Sequence, residues 1–454
     1  MMVAAQVSFP KAGPRRGGRA ILSALLPVLA LGGWAFLARL SHAPPASMAV
    51  WLLVILALQW TFALWVWRNA GRRYALVWVI CGVAFRVAGL FADPILEDDH
   101  YRFLWDGRSF AVSGNPYATA PADHFQDEDL PDSFAAILDH INYPGLPTVY
   151  GPVVQTGFLS SYLLAPARIW PWKLLLLAAD ALLLAALWKL GSSNGSGFRA
   201  ALFAAWCPLS VFETSFNAHP EALAVCLLAW ALLAGQGRRP VLTGILCAAA
   251  AAARLPALLS APFLLWRKPL SAPTAFAVTL LACYLPFLIQ GSWADLTGLQ
   301  IFAREWEFNS SIYAVIAWAL SPQAARSLCS ALLLAGAVVL FLLHQRFPGR
   351  LPLPTALAFL YGLLFLLSPV FNPWYALWLL PFVALGPSST GITLLAAVSL
   401  SYLTRQNLGD AVLHGFEHPP WLRPLEFGLV AAALVADLFR IPSASRPDPN
   451  PPPA

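Results

Sequence analysis

Charge is the scarcest commodity in this chain: 11% of its 454 residues are Asp, Glu, Lys or Arg, against 59% hydrophobic. Soluble domains carry roughly 25% charged residues, so a water-soluble globule is excluded, and the mean hydropathy of +0.65 agrees. A span needs about 20 apolar residues. The expectation is an all-α polytopic membrane protein, a bundle of about 12–14 transmembrane helices. Cysteine is nearly as scarce. All six (Cys81, Cys207, Cys226, Cys247, Cys283 and Cys329) fall inside apolar stretches, without ligand spacing to another Cys or to a loop His. They read as small buried hydrophobes. No glycine-rich phosphate loop of the P-loop or dinucleotide type is visible, nor an internal repeat of the transporter kind. The net charge of +6 does not imply a nucleic-acid partner, because the basic residues sit in short loops between apolar runs, as the positive-inside rule requires.

Apolar runs at about 20–40, 48–67 and 74–92 make three spans. Lys11, Arg15, Arg16 and Arg19 before the first resemble a signal-peptide start, but the run to Leu40 is long enough to span and reads as an uncleaved helix. With Arg68, Arg72 and Arg73 also cytoplasmic, the third helix leaves the membrane near Ala92 on the outer face. The expected divisions are 1–92 (tail and three spans), 93–171 (an outer loop with interfacial helices), 172–440 (the main bundle with an outer cleft) and 441–454 (a disordered Pro-rich cytoplasmic tail). In the main bundle, 241–266 is too broken by Arg254 and Pro256 for one straight span, and a re-entrant pair fits better. The stretch 200–216 reads as one span.

The polar residues are concentrated. From Asp93 to Asp139 lie eleven carboxylates, half of the chain's total, against two arginines. The interleaved Tyr101, Phe103, Trp105, Phe110 and Tyr117 argue for a folded loop. Its core, Glu97 to Arg108, carries Glu97, Asp98, Asp99, Arg102, Asp106 and Arg108. If this piece is helical, Asp98, Arg102 and Trp105 share one face, and Arg102 can hold a carboxylate ionised or orient it. A helix N-cap is the bland use of the two acids. A carboxylate at the membrane edge suits a general base for an alcohol acceptor, and a nearby cation suits an anionic leaving group.

The stretch EDDHYRFLWDGRSFAVSGNPY (97–117), followed by INYPGLPTVYGPVVQ (141–155), NAHPEAL (217–223) and NPWYALWLLPF (372–382), resembles bacterial membrane glycosyltransferases of the GT-C superfamily, of the polyprenyl-phosphate-mannose-dependent mannosyltransferase type. The likeness covers roughly residues 74–440 in layout, and 97–117 is its specific part. It implies a GT-C-like bundle in the bacterial inner (cytoplasmic) membrane, with the active site facing the periplasm or exterior. It implies an inverting hexosyl transfer, with mannose the expected sugar, from a polyprenyl-phosphate donor to a hydroxyl acceptor on a glycan, lipid or protein. An acid at the end of an early helix is the family's base, and this implies Asp98 or Asp99. That acid follows the third helix here rather than the first, which two added N-terminal spans explain.

A polyprenyl-phosphate leaving group requires a cation near the interface. Arg254 is the first choice, since an arginine at membrane depth is expensive and usually functional. Arg304 and Arg405 also qualify, although both could snorkel. Asn217, His219 and Glu221 are expected to bind donor or acceptor. One His and one Glu are a weak metal signature, so no metal site is assigned, while a divalent cation stays open. Asn309, Tyr313, Asn372, Trp374 and Tyr375 are expected to line the cleft, with Arg102 and Trp105 beside the acids. The last outer loop adds Gln406, Asp410, His414 and His418. A transporter of lipid-linked saccharides would spread ionisable residues through several spans. Their gathering at one face favours an enzyme over that reading. An inactive subunit of an envelope-assembly complex is the third reading.

Overall fold

The computed structural model describes residues 16–293, 296–408 and 416–439. The N-terminal tail with Lys11 and Arg15, the loop residues Asp410 and His414, and the tail from Arg440 lie outside the described residues. Within them everything regular is helical, and the sole extended pairing is an isolated bridge between Phe308 and Val370.

The first three helices, α1 (Arg16–Ser41), α2 (Met48–Asn69) and α3 (Ala75–Leu90), pack as one group. The polar segment then folds as α4 (Asp99–Ser113), α5 (Asp132–Leu138) and α6 (Pro152–Leu164). At 13 residues, α6 is roughly 20 Å long, too short to span, and it lies against α4. Gly107 permits that approach: a Cβ there would meet the Phe158 carbonyl at 2.6 Å.

The bundle continues with α7 (Trp170–Ser192), α8 (Gly197–Trp206), α9 (Pro208–Val211), α10 (Glu221–Gln236), α11 (Pro240–Ala253), α12 (Ala261–Leu265) and α13 (Ser271–Ile289). The remainder comprises α14 (Leu296–Glu305), α15 (Ile312–Ala319), α16 (Pro322–Arg346), α17 (Leu353–Leu367), α18 (Leu380–Leu385), α19 (Ser389–Ala397) and α20 (Leu422–Phe439). Among the described residues four helices, α2, α7, α13 and α16, are long and apolar enough to cross a membrane, and eight shorter apolar helices accompany them. The short ones arise where backbone breaks interrupt apolar sequence. Such breaks are tolerated only where protein or a wet cavity receives the freed groups. The stretch 200–216 is therefore not one span. It divides at Cys207–Pro208 and ends in a π-turn, Phe212–Phe216.

Burial separates interior from rim. Half of the most apolar window of α7 is buried, against 6% for α16. Side chains such as Leu334 (67% exposed) and Val278 (61%) belong to an apolar rim of the kind that a bilayer covers. Inside, the alanine run of α11 brings it against α13, with Gly244 directly over the Ala272 carbonyl, the close approach that small residues allow. The segment after α11 turns back. Arg254 pairs with Glu221 at the start of α10, and Lys268 donates to the Gly235 carbonyl near the end of α10, at 3.0 Å. The chain from 240 to 268 thus leaves and returns to the same end of that helix, the re-entrant course expected from Arg254 and Pro256.

Candidate active site

The site forms where the chain leaving α3 crosses the break between α9 and α10. Three side chains hold the crossing. Lys173 donates to the carbonyls of Gly89 (3.0 Å) and Ala92 (2.7 Å), capping α3. Asn217 accepts from the Ile95 amide at 2.9 Å, and the Trp172 indole N–H reaches the Ala218 carbonyl at 2.8 Å. Gly89 sits against Ser215, where a Cβ would have no room. The crossing is strained. Leu96 (φ 61°) and Ala218 (φ 63°) both occupy the left-handed region, at about 1–3 kcal/mol each for residues other than glycine. One precedes the acidic triplet Glu97–Asp99 and the other adjoins His219. Both strained residues thus lie close in sequence to Asp99 and His219, which face each other across the recess.

The two adjacent acids have different surroundings. Asp98 is the N-cap residue of α4, without a side-chain cap bond, and its carboxylate accepts from Asn142 at 2.5 Å. Asp99 opens the helix and faces His219, whose Nε2 lies 3.8 Å from its Oδ2. The Asp99 side chain keeps 35% of its surface, whereas His219 keeps 1%. Despite that opening, Asp99 lies deep enough among protein atoms for desolvation to raise its carboxyl above the ordinary range. His219, Arg254 and Arg102 pull it down and Glu221 pushes it up. Burial likewise raises Glu97 well above its ordinary value, with Asp99, Glu213 and Asp98 adding to it.

Arg254 stands at the C-terminal break of α11, paired with Glu221 at 2.5 Å. Its guanidinium lies over the rings of Tyr150 (5.2 Å) and Tyr375 (5.9 Å). Gly151 allows this: a Cβ there would collide with the Ala252 carbonyl at 2.2 Å. Trp374 stacks on His219, with centroids 3.9 Å apart and planes at 14°. The Oε2 of Glu221 and Nε2 of His219 have no hydrogen-bond partner among the described residues. Asp99, His219, Glu221, Arg254, Trp374 and Tyr375 are thus brought together. Among the described residues no group of three or more His, Cys, Asp or Glu could hold a metal ion.

Other expected site residues have different neighbours. Arg102 donates to Asp106 (2.8 Å) and to the Leu146 carbonyl (2.9 Å), not to either acid of the pair. Asp106 also accepts from Thr148 (2.5 Å) and Gln155 (2.9 Å), so this network fastens α4 to the returning loop. Trp105 is 2% exposed in a small core with Phe134, Ile137, Leu138 and Ile141. Asn309 bonds the buried Glu426 of α20 at 3.0 Å, and Tyr313 bonds Glu307 at 2.5 Å. Asn372 occupies the N-cap position, without a side-chain cap bond, of the 3₁₀ segment Pro373–Leu379 that carries Trp374 and Tyr375. Arg304 is exposed on α14, and Arg405 is half-exposed beyond Tyr402. Sequence reasoning passed over Glu213 and Tyr402. Glu213 is wholly buried in the π-turn, accepting from His219 Nδ1 (2.8 Å) and from the Tyr402 hydroxyl. Its signal was present, an ionisable residue inside an apolar run.

A bundle of apolar helices, with an acid, an imidazole and a guanidinium converging where helices are interrupted, has the make-up of a membrane-embedded enzyme. Comparison with known families identifies the kind. Residues 18–268, more than half of the chain, match the MptA_B family model, described as alpha-(1->6)-mannopyranosyltransferase, N-terminal domain. The chain belongs to this family and is a glycosyltransferase of the mannosyltransferase type. No curated protein and no solved structure matches it. The matched region includes Asp98, Asp99, Glu213, His219, Glu221 and Arg254.

Proposed function

We propose that the protein transfers a mannosyl group from a polyprenyl-phosphate donor to a hydroxyl acceptor with inversion, in a recess at the outer side of the bacterial cytoplasmic membrane. Asp99 is the general base and Arg254 holds the donor phosphate. The linkage formed is the α-(1→6) bond of the family description. The acceptor is a glycan, lipid or protein hydroxyl, and the bilayer itself supplies the donor.

The observation that carries this reading is the convergence of Asp99 and Arg254 on one recess, bridged by His219, Glu221 and Tyr150. In the reaction the acceptor oxygen attacks the anomeric carbon as the bond to the phosphate oxygen breaks. The acceptor proton passes to Asp99, and the phosphate leaves against the Arg254 guanidinium. Asp99 suits the base better than Asp98 for two geometric reasons. Its carboxylate is not engaged by Asn142, and it faces His219 in the recess that holds Arg254. Glu221 fixes the Arg254 fork, leaving part of it for an anion. The outer sidedness rests on the distribution of Lys and Arg in the connecting loops.

The test is transfer of radiolabelled mannose from polyprenyl-phosphate mannose into endogenous acceptors, using membranes that hold wild-type protein, Asp99→Asn or Asp98→Asn at matched amounts. Transfer that persists in Asp98→Asn and disappears in Asp99→Asn is the expected result. Unchanged transfer in Asp99→Asn removes the base assignment. Transfer only from a nucleotide-linked mannose removes the donor.

A further inference from the structure

The transfer chemistry above does not use Glu213, a buried carboxylate next to the site that accepts from three side chains. Glu213 is 0% exposed, in the π-turn Phe212–Phe216. Single-turn π-bulges of this kind are rare and frequently functional. Its Oε2 accepts from His219 Nδ1 at 2.8 Å and from Asn217 Nδ2 at 3.5 Å, and its Oε1 accepts from the Tyr402 hydroxyl, 189 residues along the chain. An ionised carboxylate only accepts, so the imidazole proton in this network resides on Nδ1. The Nε2 lone pair is then directed away from Glu213. It has no hydrogen bond among the described residues, and it points at Asp99, 3.8 Å away. Trp374 stacked on one face and Phe103 edge-on (6.4 Å) hold the ring in this orientation.

A buried imidazole with one nitrogen saturated and the other unpaired is costly unless the free nitrogen has a use. The geometry points to Glu213 as a positioning residue for the transfer reaction. It holds His219 so that Nε2 can take from Asp99 the proton that Asp99 has removed from the acceptor hydroxyl. This inference rests on Asp99 being the base.

The steps balance. The acceptor O–H bond breaks as its oxygen bonds the anomeric carbon, the carbon–phosphate oxygen bond breaks, and the proton resides on Asp99 Oδ2. It then moves to His219 Nε2, giving an imidazolium between two carboxylates, and Asp99 is again ionised. The imidazolium returns its proton to water through the solvent-open side of Asp99 before the next turnover. A hydrogen bond requires about 2.7–3.2 Å, so the Asp99 side chain must swing about 1 Å toward the ring. Its partial exposure at the start of α4 permits this. The rival reading makes Glu213 a purely structural tie between the π-turn and the segment Val398–Tyr402 that bears Tyr402.

The test uses the full chain in membranes, with polyprenyl-phosphate mannose as the donor, and measures kcat and donor KM separately for Glu213→Gln, Glu213→Asp, His219→Gln and Asp99→Asn. A relay predicts that Glu213→Gln and His219→Gln each lower kcat on the order of 10²-fold, leave KM within about 2-fold, and together cost no more than either alone. Glu213→Asp restores part of the lost kcat. A structural tie predicts instead that KM and thermal stability shift along with kcat and that Glu213→Asp is no better than Glu213→Gln. Should Glu213→Gln fail to insert, His219→Gln decides alone, because it leaves the Glu213–Tyr402 bond in place. A kcat within about 2-fold of wild type in His219→Gln overturns the relay. The two assignments fail separately. Wild-type turnover in Asp99→Asn removes the base and the relay together, whereas loss in Asp99→Asn with wild-type turnover in His219→Gln removes only the relay.

Discussion

Two groups of buried charges can be set side by side in this molecule. In the first, Arg86 of α3 pairs with Asp180 of α7, both no more than 1% exposed. The guanidinium also donates to the carbonyls of Gly82 (2.8 Å), Ala205 (2.7 Å) and Ala204 (3.2 Å), and to the Ser210 hydroxyl at 3.1 Å. In the second, Asp99, His219, Glu221 and Arg254 gather in a recess that solvent reaches, and His219 Nε2 and Glu221 Oε2 lack hydrogen bonds among the described residues. Both groups contain costly ionisable residues in a chain that has few. The first spends its bonding capacity on helix backbones and so fixes architecture. The second keeps capacity in reserve, and on the proposed function that reserve meets the substrate.

The largest effect that would sharpen this contrast is at Asp99. Asp99→Asn should lower mannosyl transfer by about 10³–10⁴-fold, the upper part of the range for a lost general base, with the amount of inserted protein unchanged on an immunoblot. Next comes Arg86→Met. Breaking a buried pair leaves an uncompensated charge and costs about 3–5 kcal/mol, so the expected result is a lower Tm in detergent with unaltered turnover per folded molecule. A wild-type Tm with lost turnover would reverse the roles of the two groups. Arg254→Lys retains the charge but loses the planar fork, and should raise donor KM about 10-fold, read from initial rates against donor concentration.

The smallest effect concerns pH. Asp99 must be ionised to act as base, so activity falls as pH drops through its carboxyl value, which lies above the usual carboxylate range because burial disfavours the charge. The neighbouring acids Glu97, Asp98 and Glu221, together with His219, Arg254 and Arg102, set that limb. Glu221→Gln deletes a like charge and releases Arg254, and both changes favour ionised Asp99. The acid limb of a pH–rate profile should therefore move to lower pH in that variant. Movement to higher pH would mean that Glu221 acts on Asp99 through structure rather than charge.

What was legible beforehand divides in the same way. The pair Asp98 and Asp99, with His219, Glu221 and Arg254, stood out because ionisable residues are scarce in so apolar a chain, although the sequence left the choice between the two aspartates open. The helical spacing that grouped Asp98 with Arg102 and Trp105 was less informative. A helix starting at Asp99 forms over that stretch, but Arg102 takes its partners from Asp106 and from a loop 44 residues away, and Trp105 fills the core under α5. Spacing gives the face of a helix and not what lies against it. The division of 200–216 was missed for a similar reason. Pro208 was visible, whereas a π-turn depends on the partners that Glu213 finds around it.

By itself the sequence determined that this chain lies in a membrane, that it is helical, and that its polar chemistry collects beyond the third helix. Hydropathy and charge placement are local properties, and a bilayer acts on them segment by segment. Only the tertiary structure decided which of two adjacent aspartates faces the recess, that Glu213 and Tyr402 stand behind His219, and that Arg86 is tied to Asp180 and helix carbonyls while Arg254 borders the recess beside Glu221, Tyr150 and Tyr375. Those outcomes depend on hydrogen-bond partners contributed by helices far apart in the chain, and the order of residues does not specify which distant atoms will saturate a given group.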